Sequence, residues 1–146
     1  MKIYIASSWS NEFIIVQYAK ELRQMGNDVD CFADKSTGRY VFHFSEIGSV
    51  EELDAINFLK DKRSKKAFQE DKSKLDWCDL CLLILPAGKS SHLEAGYAVG
   101  QGKALVIYHL DKFPKGEFDV MYGFANFMTD ELEDLFDYLL KESKNE

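Results

Sequence analysis

The chain is predicted to fold as an α/β protein, a flavodoxin/Rossmann-like doubly wound sandwich with a five-stranded parallel sheet, and three observations carry this. Short apolar runs of strand length recur at residues 2–6, 29–33, 79–85, 104–108 and 125–128. Between most of them lie stretches with apolar residues three and four apart, the spacing of one helix face. Residues that cap helices or turn the chain stand at the junctions. Strands alternating with helices imply parallel pairing through right-handed crossovers, with helices on both faces of the sheet.

Taken in order, the first strand, residues 2–6, leads into Ser7-Ser8-Trp9-Ser10-Asn11, rich in helix-capping side chains. The helix after it carries Ile15, Ala19, Leu22 and Met25 as an apolar stripe, and Gly26 stands where a C-terminal cap belongs. Residues 29–33 form the second strand. From 34 to about 50 no period is kept, and Gly38 and Gly48 punctuate a long functional loop or lid containing Phe42-His43-Phe44. Two short helices are expected over 51–60 and 64–77, the second turning Phe68 and Leu75 toward the core. The basic run from Lys60 through Lys66 reads as a solvated helix face.

Residues 79–85 are the most hydrophobic stretch, without alternation, as expected of a central parallel strand covered on both sides; Pro86 ends it. Ser90 or Ser91 opens the next helix, which runs to about Gly100, and strands over 104–108 and 125–128 follow. Thr129 is expected to cap a final helix with Asp130 and Glu131 in its first turn and Leu132, Leu135, Phe136, Leu139 and Leu140 on its buried face. Five strands suggest flavodoxin order, in which the binding crevice opens at the carboxyl ends of the first and third strands. Those ends are Ser7-Ser8-Trp9 and residues 86–91.

A length of 146 residues is that of a single domain, here 1–146, and 46% hydrophobic with 14% aromatic residues is enough to build a core without staples. The net charge of -7, from 18 basic and 25 acidic residues, repels a phosphate polymer and argues against general DNA or RNA binding. A single nucleotide in a local pocket stays compatible. No apolar run approaches the roughly 20 residues that span a bilayer, so no membrane association is expected, and the β-like start does not read as a signal peptide. A cytoplasmic location follows as the expectation. Three cysteines, Cys31, Cys78 and Cys81, make an odd number, and the Cys78-x-x-Cys81 pair lacks the strand-to-helix setting of a redox motif. They read as buried small hydrophobes. No cluster with metal-ligand spacing is present, and no metal or organic cofactor is expected.

The stretch from Pro86 to Gly100 is the most informative. A strand, a small-residue turn and a helix start make an anion pocket, because unpaired backbone N–H groups converge there. The spacing around Gly88-Lys89-Ser90 is not that of a P-loop. Glu94 has two readings. Ser91-x-x-Glu94 is the spacing of a capping box, in which the carboxylate only satisfies a backbone donor. Yet Glu94 also lies beside the expected crevice, with Ala95, Gly96, Ala98 and Gly100 allowing close packing around it, where a carboxylate can attack a sugar carbon.

Asp71, then Asp79-Leu-Cys-Leu-Leu-Ile-Leu-Pro-Ala-Gly-Lys-Ser-Ser-His-Leu-Glu94-Ala-Gly-Tyr-Ala and Gly102-Lys103-Ala-Leu-Val-Ile, resemble the central signature of the nucleoside 2-deoxyribosyltransferase-like superfamily, which includes nucleoside 5′-monophosphate N-glycoside hydrolases. There an acidic residue stands eight positions before the strand's opening residue, and a Glu follows the strand in an E-x-G-x-A helix start; Asp71 and Glu94 match both. The first strand fits as well. Ser45-Glu46-Ile47 and Met121-Tyr122 are similar to segments of short bacterial and phage members. One departure concerns the substrate: where the transferases carry an acidic sugar ligand, this chain has Ala87-Gly88-Lys89-Ser90-Ser91. Related hydrolases hold a 5′-phosphate with serines in this loop, so the resemblance implies a nucleoside monophosphate.

The resemblance implies Glu94 as nucleophile on the anomeric carbon and Asp71 as either a sugar-hydroxyl ligand or the proton donor to the departing base. Ser7, Ser8 and Trp9 line the base side; Gly88, Lys89, Ser90, Ser91 and, as a secondary candidate, His92 bind the anion. Asp119 falls where family members donate a side chain into a neighbouring subunit's site, implying a homodimer or larger. His43 reads as aromatic packing, and Asp79 as a pairing group at the sheet's amino edge. The rival from another class is a nonenzymatic nucleotide-binding sensor on the same fold. A receiver module is disfavoured, since the first and third strands end in Ala6-Ser7 and Leu85-Pro86 rather than a phosphorylatable Asp.

Overall fold

A computed structural model describes residues 1–145; Glu146, the last residue of the expected domain, lies outside them. The strands are β1 (Lys2–Ser7), β2 (Asp28–Cys31), β3 (Leu80–Leu85), β4 (Ala104–His109) and β5 (Phe127–Thr129). The helices are α1 (Glu12–Gln24), α2 (Ala55–Phe58), α3 (Lys62–Trp77), α4 (Lys89–Gly100) and α5 (Leu132–Lys144). All strand pairs are parallel and the sheet order is β2-β1-β3-β4-β5, the flavodoxin order expected from the alternation.

Because successive strand side chains point to opposite faces, the sheet has two apolar surfaces and each needs a cover. On one, Ile3, Ile5, Leu80, Leu82, Ile84 and Val106 pack against Ile15, Ala19 and Leu22 of α1 and Leu135 and Leu139 of α5. On the other, Tyr4, Ala6, Cys81, Leu83, Leu85 and Ile107 meet Leu75 of α3 and Ala95 and Ala98 of α4. Every residue of β3 is buried, which is why that run shows no alternation. The register sets Asp30, Tyr4, Cys81 and Leu105 in one row across the second face. That row carries a carboxylate and a phenol where the rest of the face is apolar, and it lies under α3 and α4.

Several local expectations are corrected. The helix expected over 51–60 is a 3₁₀ turn at Val50–Glu52 followed by the four-residue α2. Leu53 between them is extended, and Asp54 restarts the chain by accepting the Asn57 N–H at 2.8 Å. Phe68 is 57% exposed: the apolar cover supplied by α3 stops at Leu75, and one turn further along that face stands Asp71, not a core residue. Helix α4 begins at Lys89 with Gly88 as its N-cap, so Ser91 caps nothing, Glu94 sits in the second turn, and the capping-box reading fails. Helix α5 is capped at Glu131 and carries Glu133 and Asp134 in its first turn, while Thr129 belongs to β5 and holds the Glu131 N–H at 3.0 Å. Cys78 precedes β3 and shares a cluster with Cys81; all three cysteines are free and buried. Asp79 accepts the Lys2 N–H at 2.8 Å, the edge-pairing role expected of it.

Candidate active site

Helix α4 leans on the sheet through Ser91, Ala95 and Ala98, all buried, and their small side chains bring it close. Glu94 lies on the same face, half-buried, three residues from each of Ser91 and Tyr97 and four from Ala98. Beneath it stands Tyr4, fully buried, whose hydroxyl lacks a well-formed hydrogen bond yet favours the ionised form of the Glu94 carboxylate beside it. From α3 comes Asp71, one turn before the buried Leu75.

Two residues that sequence reading did not single out complete the group. Arg39, buried at the base of the 39–47 loop, donates from Nε to Asp30 Oδ1 at 3.1 Å and from Nη2 to Asp71 Oδ1 at 2.6 Å. Its Nη1 donates to the Tyr40 carbonyl at 3.2 Å. The signal for Asp30 was available: a charge in the middle of Val29-Asp30-Cys31, a strand segment otherwise apolar, has to be paired if it faces a covered side. Arg39 sits in a loop without period, so only the fold reveals its partners.

These groups shift one another. Burial, reinforced by the Asp71 and Asp30 charges, pushes Glu94 from 4.5 up to about 8, against the pull of Tyr4 and Arg39. Asp71 is raised by its burial and by Asp30 and Glu70, with Arg39 opposing. Asp30 is raised by burial too, again with Arg39 opposing. Burial and the surrounding carboxylates, Glu94 first, push Tyr4 well above the phenol range. Desolvation works against the Arg39 cation, but Asp30 and Asp71 outweigh it and raise its pKa. A carboxylate whose ionisation is this costly, close to a second acid, makes a candidate functional site.

The remaining predicted residues divide by what their side chains touch. Ser7 and Ser91 are buried and knit the crevice together: Ser7 Oγ donates to the Ile84 carbonyl at 2.9 Å, and Ser91 Oγ to the Ser7 carbonyl at 2.8 Å. Asn11 adds bonds to Ser7 Oγ at 3.0 Å and the Pro86 carbonyl at 2.8 Å. Ser8 caps a 3₁₀ turn through the Ser10 N–H. Trp9 stands edge-on to Phe32 and His43, with ring centroids 4.9 and 5.1 Å away. Gly88, Lys89 and Ser90 are exposed at the start of α4. His92 takes the Gly88 carbonyl with Nδ1 at 2.7 Å, so that nitrogen carries the proton, and Nε2 faces the Tyr122 hydroxyl at 3.2 Å. Asp119 is exposed and caps the 3₁₀ turn Val120–Phe124 through the Met121 N–H.

The loop is fastened over this region. His43 and Glu46 form a reciprocal cap on the 3₁₀ turn Phe44–Ile47, which contains the Ser45-Glu46-Ile47 segment. Of the basic run, Arg63 donates to the Glu46 carbonyl at 2.8 Å and Lys66 lies 4.1 Å from the Tyr40 ring centre, so two of its cations bind the loop rather than only water. A cavity of about 530 Å³ opens on the far side of Asp30 and Arg39, lined also by Arg23, Asp28, Glu70 and Lys74; none of the sequence-predicted site residues faces it.

No family model matches the chain, and no curated protein matches it by sequence. Solved structures do match. A 2-deoxyribosyltransferase from the psychrotolerant bacterium Bacillus psychrosaccharolyticus aligns over 95% of this chain and 96% of its own, at 17% identity and a TM-score of 0.67. The CMP N-glycosidase BcmB of Clostridium botulinum aligns over 100% of both chains, at 14% identity and a TM-score of 0.55. With its parallel 2-1-3-4-5 sheet and these end-to-end matches, the chain shares the fold of these two enzymes.

Proposed function

We propose that the protein is an N-glycosidic enzyme that cleaves or exchanges the base of a (deoxy)nucleoside or nucleoside 5′-monophosphate, with Glu94 as the nucleophile. The observation that carries this is the half-buried Glu94, beside Tyr4 and within the field of the Asp71 charge, in a chain whose fold matches a deoxyribosyltransferase and a CMP N-glycosidase end to end. A Glu94 carboxylate oxygen attacks the anomeric carbon, the C1′–N bond breaks, and its electron pair leaves on the base. Asp71 either delivers the proton that the departing base takes up or holds the sugar hydroxyls. Water or a second base then attacks C1′, and Glu94 is released as a carboxylate.

The 5′-phosphate is assigned to the start of α4, where the backbone N–H groups of Lys89, Ser90 and Ser91 lack intrahelical partners. Lys89 and the Ser90 hydroxyl add exposed donors. The Ser91 hydroxyl is already committed to Ser7, so its part is to shape the loop. Trp9 lines the base side within its aromatic group. We further propose a cytoplasmic homodimer or larger assembly. Free buried cysteines fit a reducing compartment, and Phe118, Val120, Met121 and Phe124, around and beside Asp119, are an exposed apolar strip suited to a second copy.

The test is chromatographic detection of free base from a panel of ribo- and deoxyribonucleosides and their 5′-monophosphates, with and without a second base. Release by the wild type that is lost in Glu94→Ala supports the enzyme. A folded protein that binds nucleotides but releases no base from any of them indicates the sensor instead.

A further inference from the structure

We infer that Arg39 is a positioning residue for this chemistry: anchored on Asp30 of the edge strand, it fixes Asp71 beside Glu94 and supplies positive charge to the acid cluster. The inference rests on the proposed glycosidic reading for its catalytic meaning, but not for its electrostatic content.

The geometry is specific. Arg39 uses Nε on Asp30, Nη2 on Asp71 and Nη1 on the Tyr40 carbonyl, so its planar fork is occupied on three sides and its orientation is set from both β2 and α3. Its side chain is 3% exposed, as is seldom seen for an arginine without a structural or functional task. Asp71 by contrast is 32% exposed and has only Oδ1 tied to Arg39, which leaves Oδ2 for a substrate hydroxyl or a departing base. Asp30 has no role in bond making in the proposed reaction; its position across from Tyr4 makes it the anchor. The loop that carries Arg39 is also the one fastened by Arg63 and Lys66, so the site's charge balance depends on the loop being docked.

The charged and titratable groups that act on Glu94 and Asp71, besides each other, are Tyr4 of β1, Asp30 of β2, Cys81 of β3, Glu70 of α3 and Arg39 itself, while Lys74 of α3 acts on Asp30. Removing Arg39 from this set leaves three acids in one apolar setting. They then hold their protons to higher pH, and because only the ionised Glu94 is a nucleophile, the pH at which base release sets in moves further up.

Carbon-detected NMR titration of the Asp30, Asp71 and Glu94 carboxyls, with folding checked by circular dichroism, reads this directly. In Arg39→Gln the summed midpoints of the three groups rise by about one pH unit or more. Arg39→Lys restores most of that shift, since the charge returns, yet lowers kcat about tenfold or more with KM little changed, because the fork that orients Asp71 is lost. Asp30→Asn keeps Arg39 and removes a competing charge, so the Asp71 and Glu94 midpoints fall; this variant serves if Arg39→Gln does not fold. Midpoints that stay in place in folded Arg39→Gln, or in Asp30→Asn, overturn the inference, as does a kcat in Arg39→Lys equal to wild type. If the wild type releases no base while the midpoints move as stated, the glycosidic reading fails and the electrostatic role of Arg39 stands.

Discussion

Glu94 is a residue whose charge the fold opposes, and this has a measurable price in stability. Between its ordinary 4.5 and about 8 the folded chain keeps a proton that the unfolded chain has released, so stability falls as pH rises through that window. Glu94→Gln, neutral at every pH, is therefore expected to match the wild type near pH 4 and to be more stable at pH 8.5, by on the order of 2 kcal/mol. Thermal melts at the two pH values check this. Tyr4→Phe probes the same carboxylate from below. Because the hydroxyl lacks a well-formed partner, its loss should leave the melting temperature within a few degrees while moving the acid limb of base release upward. Ser91→Ala removes the bond to the Ser7 carbonyl and should cost about 1 kcal/mol in denaturant unfolding, with the preference for a 5′-phosphate unchanged. Ser90→Ala should do the reverse, raising KM for the monophosphate alone.

Among the elements, α4 joins sequence to site most directly. Of the small residues read as close packing, the structure buries Ala95 and Ala98 against the sheet, with the longer Glu94 beside Tyr4, but leaves Gly96 and Gly100 exposed with open space around them. Ala98→Leu should overpack this contact, lower stability by about 1–3 kcal/mol and displace Glu94, which unfolding together with base-release rates will show. Elements built on local patterns were readable in advance, namely the parallel order and the buried run of β3, whereas Asp71 and Glu94 were singled out by the family resemblance and the local spacing of Glu94 pointed to a cap. What could not be read depended on distant partners. Phe68 has helix spacing in common with Leu75, but Asp71 stands between them and the apolar cover ends there. The helix expected over 51–60 is interrupted at Leu53, which is extended, and Asp54 caps a new turn through the Asn57 N–H. Arg39 meets Asp30 and Asp71 nine and thirty-two residues away, across a loop with no periodic signal.

The molecule as a whole has one wholly apolar sheet face and one that carries a buried charged group. The face under α1 and α5 is built from Ile, Leu, Val and aromatic residues, and no acid cluster interrupts it among the described residues. The other face gives up part of its apolar area to Tyr4, Asp30, Arg39, Asp71 and Glu94, whose burial has to be offset by their mutual hydrogen bonds and charges. Among the described residues no helix is long and apolar enough to cross a membrane. The central claim is that this acid group breaks N-glycosidic bonds through Glu94. Its most direct test is base release from the nucleoside and nucleoside 5′-monophosphate panel by wild type and Glu94→Ala, with intact-protein mass spectrometry during turnover. The account predicts free base from at least one substrate, a glycosyl adduct on the wild type, and neither in a folded Glu94→Ala. Base release that persists in Glu94→Ala, or a wild type that binds nucleotides and releases none, would contradict it.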